Sequence, residues 1–148
     1  MKLYVSLGRG ILAAIFAALL VVVMIFGSFS SVLAENKNGS TNKLRVEFAQ
    51  SIRCEVKEEM ISQKKIIIPL HFSEVYENYN ALQKKAGFNL SKYKGCEAVV
   101  YTYQVLCFGP FGKDDNARLN LIVYNGKIIG GDVSSAAIDG IMLPILRI

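Results

Sequence analysis

Hydrophobic and polar positions divide this chain into an apolar start, a short polar joint and a periodic remainder. From Ile11 to Ala34 no residue is charged, and Ile11 to Phe26 is continuously apolar. At about 1.5 Å of rise per residue, such a tract covers about 30 Å of hydrocarbon. Glu35 to Asn42, ENKNGSTN, is polar and reads as a flexible linker. Beyond it Leu44, Phe48 and Ile52 recur every fourth residue, with Ala49 beside them, and Ser40-Thr41-Asn42 supplies capping residues. This predicts a first helix. Cys54-Glu-Val56 reads as extended, and the β-branched run Lys64 to Leu70, closed by Pro69, as a short strand at an edge.

The second helix has the clearest signature. Ser73 is its N-cap, Glu74 and Glu77 sit at its positive end, Lys84 and Lys85 in its last turn, and Gly87 stops it. Val75, Tyr79, Leu82 and Ala86 define its expected buried face, with Tyr76 adjacent. Phe88 to Gly95 is a connecting loop. Three strands follow, at Ala98–Phe108, Leu119–Tyr124 and Lys127–Val133. Between the last two, Asn125-Gly126 is a type I′ hairpin turn. Gly130-Gly131 interrupts the last strand, which predicts a bulge or close backbone approach. The end, Ile138 to Ile148, reads as a last short helix or a tail laid on the core.

These elements give an α+β domain, with two helices on one face of an antiparallel sheet of about four strands. The strand–helix–meander order resembles the cystatin-like architecture, an analogy of fold that carries no function. The divisions are residues 1–34, signal peptide or transmembrane anchor, 35–42, linker, and 43–148, an extracytoplasmic domain. Lys2 and Arg9 before the tract and Ala34 before Glu35 suit a cleaved signal peptide, whereas the length of the tract suits an anchor. The expected location is the cell membrane, single-pass through residues 11–34 with the domain outside, or secreted if cleavage follows Ala34.

Net charge is +5, of which Lys2 and Arg9 contribute two, so the domain carries an ordinary surface charge and no nucleic-acid footprint. Cys54, Cys96 and Cys107 form no regular framework, and they read as buried free thiols. Cys96 and Cys107, on one strand, are too far apart to bridge, while Cys54 could pair with either. Lys64, Lys65, Lys84, Lys85, Lys92 and Lys94 recur around the second helix. They suit a solvated face, or a patch for a protein or an anionic cell-envelope partner.

Candidate chemistry is sparse. His71 is the single histidine, a general base or ligand with no second histidine to help it. Asp132 and Asp139 flank Ser134-Ser135, and paired carboxylates can do acid–base work, yet no nucleophile spacing accompanies them. Asp114-Asp115-Asn116 offers oxygen side chains to a calcium ion, but turns use the same residues for their own hydrogen bonds. No catalytic, cofactor-binding or metal-binding residue is therefore assigned, and no cofactor is expected. Asn38-Gly-Ser40 and Asn89-Leu-Ser91 are glycosylation triplets of chance frequency.

Val75-Tyr-Glu-Asn-Tyr-Asn-Ala-Leu-Gln-Lys84, Gly87-Phe-Asn-Leu-Ser-Lys-Tyr-Lys-Gly95, Tyr101-Thr-Tyr-Gln-Val105, Leu121-Ile-Val-Tyr-Asn-Gly126, Ile129-Gly-Gly-Asp-Val-Ser-Ser135 and Asp139-Gly140 follow one another in a recognisable order. Together they resemble domain of unknown function 4830, small membrane-anchored proteins of Gram-positive bacteria. The likeness spans residues 43–143. Cys54 stands where the pattern has Trp, and Leu143 to Ile148 diverge. The resemblance implies an extracytoplasmic domain and no activity. The expected function is a membrane-tethered, non-catalytic binding or sensor module. The alternatives are a small cell-envelope hydrolase or transferase using Asp132, Asp139 or His71, and an inhibitor-like protein with a cystatin-like fold.

Overall fold

The computed structural model of the chain describes residues 37–109, 115–135 and 141–145. The uncharged tract 11–34 lies outside them, as do Asp114 and Asp139. Helix α1 spans Asn42–Ser51, strand β1 Glu55–Ile67, helix α2 Glu74–Lys85, and a 3-10 turn Leu90–Tyr93. Strands β2 (Glu97–Cys107), β3 (Ala117–Tyr124), β4 (Lys127–Ser135) and β5 (Met142–Pro144) complete the order. The sheet has five strands in the sequential order β1-β2-β3-β4-β5, all antiparallel.

The expected caps form. Thr41 Oγ1 accepts the Leu44 N–H, and Ser73 Oγ accepts the Tyr76 N–H. At the end of α2, Gly87 takes φ 76°, its N–H donates to the Lys84 carbonyl, and the Phe88 N–H donates to that of Gln83. That is the paired closure by which a left-handed glycine ends a helix. Asn125 and Gly126 have φ 46° and 74°, as a type I′ turn requires. From Lys37 the chain runs beside this hairpin. The Ile128 N–H donates to the Lys37 carbonyl, and the Gly39 N–H to that of Gly126.

Three expectations change. The sheet has five strands instead of about four, because β5 adds an edge against Asp132–Ser134. Pro144 is tolerated there, since an edge position need not donate. Second, β1 is one strand of 13 residues where Lys64–Leu70 was expected to be a separate short one. Third, the two helices do not share one face. Leu119, Leu121 and Val123 pack with Val46, Phe48, Ala49 and Ile52, the inward residues of α1. Ile122 and Ile129 pack on the other side with Leu90 and with Tyr76 and Tyr79 of α2. Side chains alternate along a strand, so these are opposite faces. Both faces of the central strands are apolar, and each therefore needs its own cover.

The buried side of α2 is also rotated from the apolar stripe. Val75 is 79% exposed, whereas Asn80 and Gln83 are fully buried. Asn80 Oδ1 accepts the Leu90 N–H at 2.8 Å, and Gln83 Oε1 accepts the Gly131 N–H at 2.8 Å. Backbone donors that the sheet and the 3-10 turn leave open are satisfied by these amides, while Gln83 Nε2 itself is buried without a partner. The close approach expected at Gly130-Gly131 is present as this contact with α2. Neither glycine has a positive φ.

Candidate functional site

Each of the three middle strands carries a polar residue on the face beneath α2. Thr102 pairs across the ladder with Asn120, and Asn120 with Asp132. Strand register thus lines their side chains up in one row. Thr102 Oγ1 donates to Asn120 Oδ1 at 2.9 Å. Asn120 Nδ2 donates to Asp132 Oδ1 at 3.0 Å and reaches Ser134 Oγ at 3.3 Å. From α2, the Tyr79 hydroxyl donates to Asp132 Oδ2 at 2.8 Å.

Asp132 is 2% exposed, and both its oxygens accept hydrogen bonds. Burial pushes its pKa above the ordinary value, and the bonds from Asn120 and Tyr79 oppose the shift. The Tyr79 hydroxyl is pushed well up, first by burial and then by the carboxylate beside it, so the shared proton stays on the tyrosine. Such a network braces α2 to the sheet. It engages both oxygens of Asp132 and keeps the carboxylate out of solvent.

The raised pKa has a consequence for stability. The folded state holds the Asp132 proton more tightly than the unfolded chain does. The stability tied to this group is therefore complete below the ordinary value of 3.8 and is lost as pH rises through the higher folded value. The unfolding free energy of the wild type relative to Asp132→Asn should fall across that window. A difference independent of pH between about 3 and 7 would contradict the assignment.

The other sequence candidates do not join this row. His71 is exposed in the loop between β1 and α2, and no hydrogen bond or ion pair links it to Asp132. Asp115 is exposed, while Asp114 and Asp139 are outside the described residues. Among the described residues, no group of three His, Cys, Asp or Glu side chains could hold a metal ion. The six lysines around α2 are all exposed. Lys65 pairs with Glu97 at 3.0 Å, and Lys94 lies over the Phe72 ring.

All three cysteines are free thiols. Cys54 is buried, but Cys96 and Cys107 are half-buried, against the expectation of three buried groups. Burial, with Cys107 nearby, pushes the Cys54 thiol up to about 12. Thiolate is the reacting form. Cys54 should therefore resist alkylation at pH 8 until the domain unfolds, with label entering Cys96 and Cys107 first by peptide mapping.

On the outer side of Tyr79 the surface opens into a groove of about 440 Å³ between α2 and β5, lined by Val75, Tyr76, Asn78, Tyr79, Leu82 and Met142. Ile141, 63% exposed, adjoins Met142 in the chain. Phe72 packs on Tyr76 at 4.6 Å between ring centroids, and Tyr76 meets Tyr79 edge-on at 6.1 Å. One wall is therefore a run of aromatic rings held in place by the Asp132 bond.

The opposite face carries a buried cation. Arg45 is 5% exposed. Its Nε donates to the Tyr103 hydroxyl at 2.7 Å, its Nη1 donates to the Gly39 carbonyl at 2.8 Å, and its guanidinium lies 3.6 Å from the centre of the Tyr101 ring. The Tyr103 hydroxyl in turn donates to Asn42 Oδ1 at 2.8 Å. Sequence reasoning missed Arg45, which sits beside Leu44 at the start of the Leu44–Phe48–Ile52 stripe. It also missed the row Thr102–Asn120–Asp132. Its signal was a polar residue at a cross-strand partner position in each of three successive strands.

A sealed carboxylate network beneath α2 and an apolar groove beside it define the class by architecture: a small α+β domain whose antiparallel sheet is covered on both faces. The chain belongs to the family Domain of unknown function (DUF4830), whose model matches residues 45–133. No curated protein and no solved structure matches it.

Proposed function

We propose that this protein is a membrane-tethered extracytoplasmic binding module without catalytic activity. The groove between α2 and β5 carries this reading. It is apolar, it is open, and its aromatic wall is fixed by the Tyr79–Asp132 bond. Val75 at 79% and Met142 at 46% exposure are large apolar groups that a surface has no folding reason to display together. Grooves of this kind take an apolar side chain or chain segment of a partner. Among the described residues no helix is long and apolar enough to cross a membrane. The tether therefore rests on the uncharged tract 11–34, which lies outside them.

The alternative, a cell-envelope hydrolase or transferase, would use Asp132, Asp139 or His71. Asp132 offers it little support, being sealed with both oxygens engaged. The inhibitor reading needs a rigid loop between β2 and β3, most of which lies outside the described residues.

The test is capture of binding partners by the full chain cross-linked in intact membranes, compared with Val75→Glu and Met142→Glu variants. The expected result is a discrete partner that wild type retains and both variants lose. Equal recovery by all three chains would overturn the assignment to this groove. Turnover of an envelope polymer abolished by Asp132→Asn would overturn the non-catalytic reading.

A further inference from the structure

Strand β1 forms one edge of the sheet, paired only with β2 among the described strands. It is 13 residues long, and nearly all of its side chains are exposed or half-exposed. An open strand edge is a template for another strand. What it accepts depends on the order of its side chains.

That order is self-complementary. Glu58-Glu59 is followed by Met60-Ile61-Ser62-Gln63 and then by Lys64-Lys65. Set against an antiparallel copy of itself, with a two-fold axis between Ile61 and Ser62, the strand places Glu58 opposite Lys65 of the second copy. Glu59 then meets Lys64, Met60 meets Gln63, and the symmetry repeats every pair. The faces agree. Met60 is partnered across β2 by Tyr103, and Gln63 by Tyr101, and both tyrosines lie on the α1 side. Two alternative registers fail on charge. An axis between Lys64 and Lys65 sets lysine against lysine, and one between Glu58 and Glu59 sets glutamate against glutamate.

The charges are available. Among the described residues Glu58, Glu59 and Lys64 make no ion pair, and Lys65 pairs with Glu97 on the exposed surface. Glu58 and Glu59 are both exposed, in the stretch of β1 between Val56 and Met60 where the register with β2 shifts. The Glu58 carbonyl is held by Asn42 Nδ2 at 2.9 Å. The ladder between copies therefore runs inside it, from Glu59 to Lys64. Ile61, 51% exposed, sits at the axis and is covered by the pairing.

We propose that β1 is a self-association edge, through which two copies of this chain join their sheets by antiparallel β1–β1 pairing about an axis between Ile61 and Ser62. The inference is independent of the groove and its partner.

The experiment is sedimentation of the full chain in detergent solution at rising salt, with two charge-reversed variants. Wild type should form a dimer that weakens as salt rises. Glu58→Lys with Glu59→Lys should weaken self-association at least about tenfold, as should Lys64→Glu with Lys65→Glu. Mixing the two variants should restore a heterodimer, because every pair is again of opposite sign. The variant carrying all four reversals should dimerise with itself. Thermal unfolding of each variant controls for folding, and the four-site variant tests the idea even if one double variant is unstable. A monomeric wild type, a dimer indifferent to both double reversals, or folded variants that fail to associate on mixing would each overturn the proposal.

Discussion

Replacing Gly131 with alanine should destabilise the domain by about 3 kcal/mol, the upper range for forcing an atom into a packed site. A Cβ at this position would lie 2.5 Å from the Asn120 carbonyl oxygen, 3.0 Å from Ile145 Cδ1 and 3.3 Å from Leu121 Cδ2. The isoleucine can rotate away. The carbonyl cannot, because it belongs to the β3 backbone inside the β3–β4 ladder. Strand β4 must therefore shift, and the shift strains the bond from the Gly131 N–H to Gln83 Oε1. Losing a buried bond of this kind costs about 1–3 kcal/mol more. Since Gly131 has no positive φ, the penalty comes from crowding and not from its dihedrals. Gly130→Ala is the control. Its closest contact would be Gln83 Oε1 at 2.9 Å, the far end of a side chain that can yield, so a loss of about 1 kcal/mol is expected. Chemical denaturation of the two variants checks the order. Gly131→Ala no less stable than Gly130→Ala would contradict the packing described for β4.

Arg45→Ala should cost about 3 kcal/mol, through a different mechanism. The substitution removes a side chain packed on the Tyr101 ring and leaves the Gly39 carbonyl and the Tyr103 hydroxyl short of a donor. Three parts of the chain meet at this guanidinium: the entry at Gly39, helix α1 and strand β2. Arg45→Lys should recover less than half of the loss. A lysine ammonium cannot lie flat on the ring while donating in two fixed directions. Denaturant midpoints with unchanged slopes would measure both variants. Full rescue by lysine would mean that the charge alone matters and the fork geometry does not.

How far the sequence carried can be judged element by element. Both helices were legible because their ends are local. Thr41 and Ser73 cap through bonds to residues three positions away, and Gly87 closes α2 through its own last turn. The Asn125-Gly126 hairpin was legible for the same reason, since only such residues accept those φ values. Family membership was legible in residues that follow one another along the chain, and the family model confirms it over residues 45–133. The face each helix covers was not legible. Leu119–Leu121–Val123 and Ile122–Ile129 are apolar on both sides of the sheet, and nothing local states which helix goes to which side.

The buried polar groups were the least legible. Asp132 was singled out as a carboxylate with a chemical use, yet it is sealed by Tyr79, 53 residues earlier, and by Asn120, 12 residues earlier. Arg45 likewise depends on Tyr103, 58 residues later. By itself the sequence determined the two helices, the three-strand meander with its Asn125-Gly126 turn, and the apolar tract at the start, but neither the full length of β1 nor the strand β5. Only the tertiary structure decided which polar side chains are buried and what satisfies them. A cap or turn is a contest among neighbouring groups, whereas a buried polar side chain is stable only when distant parts of the chain bring its partners to it.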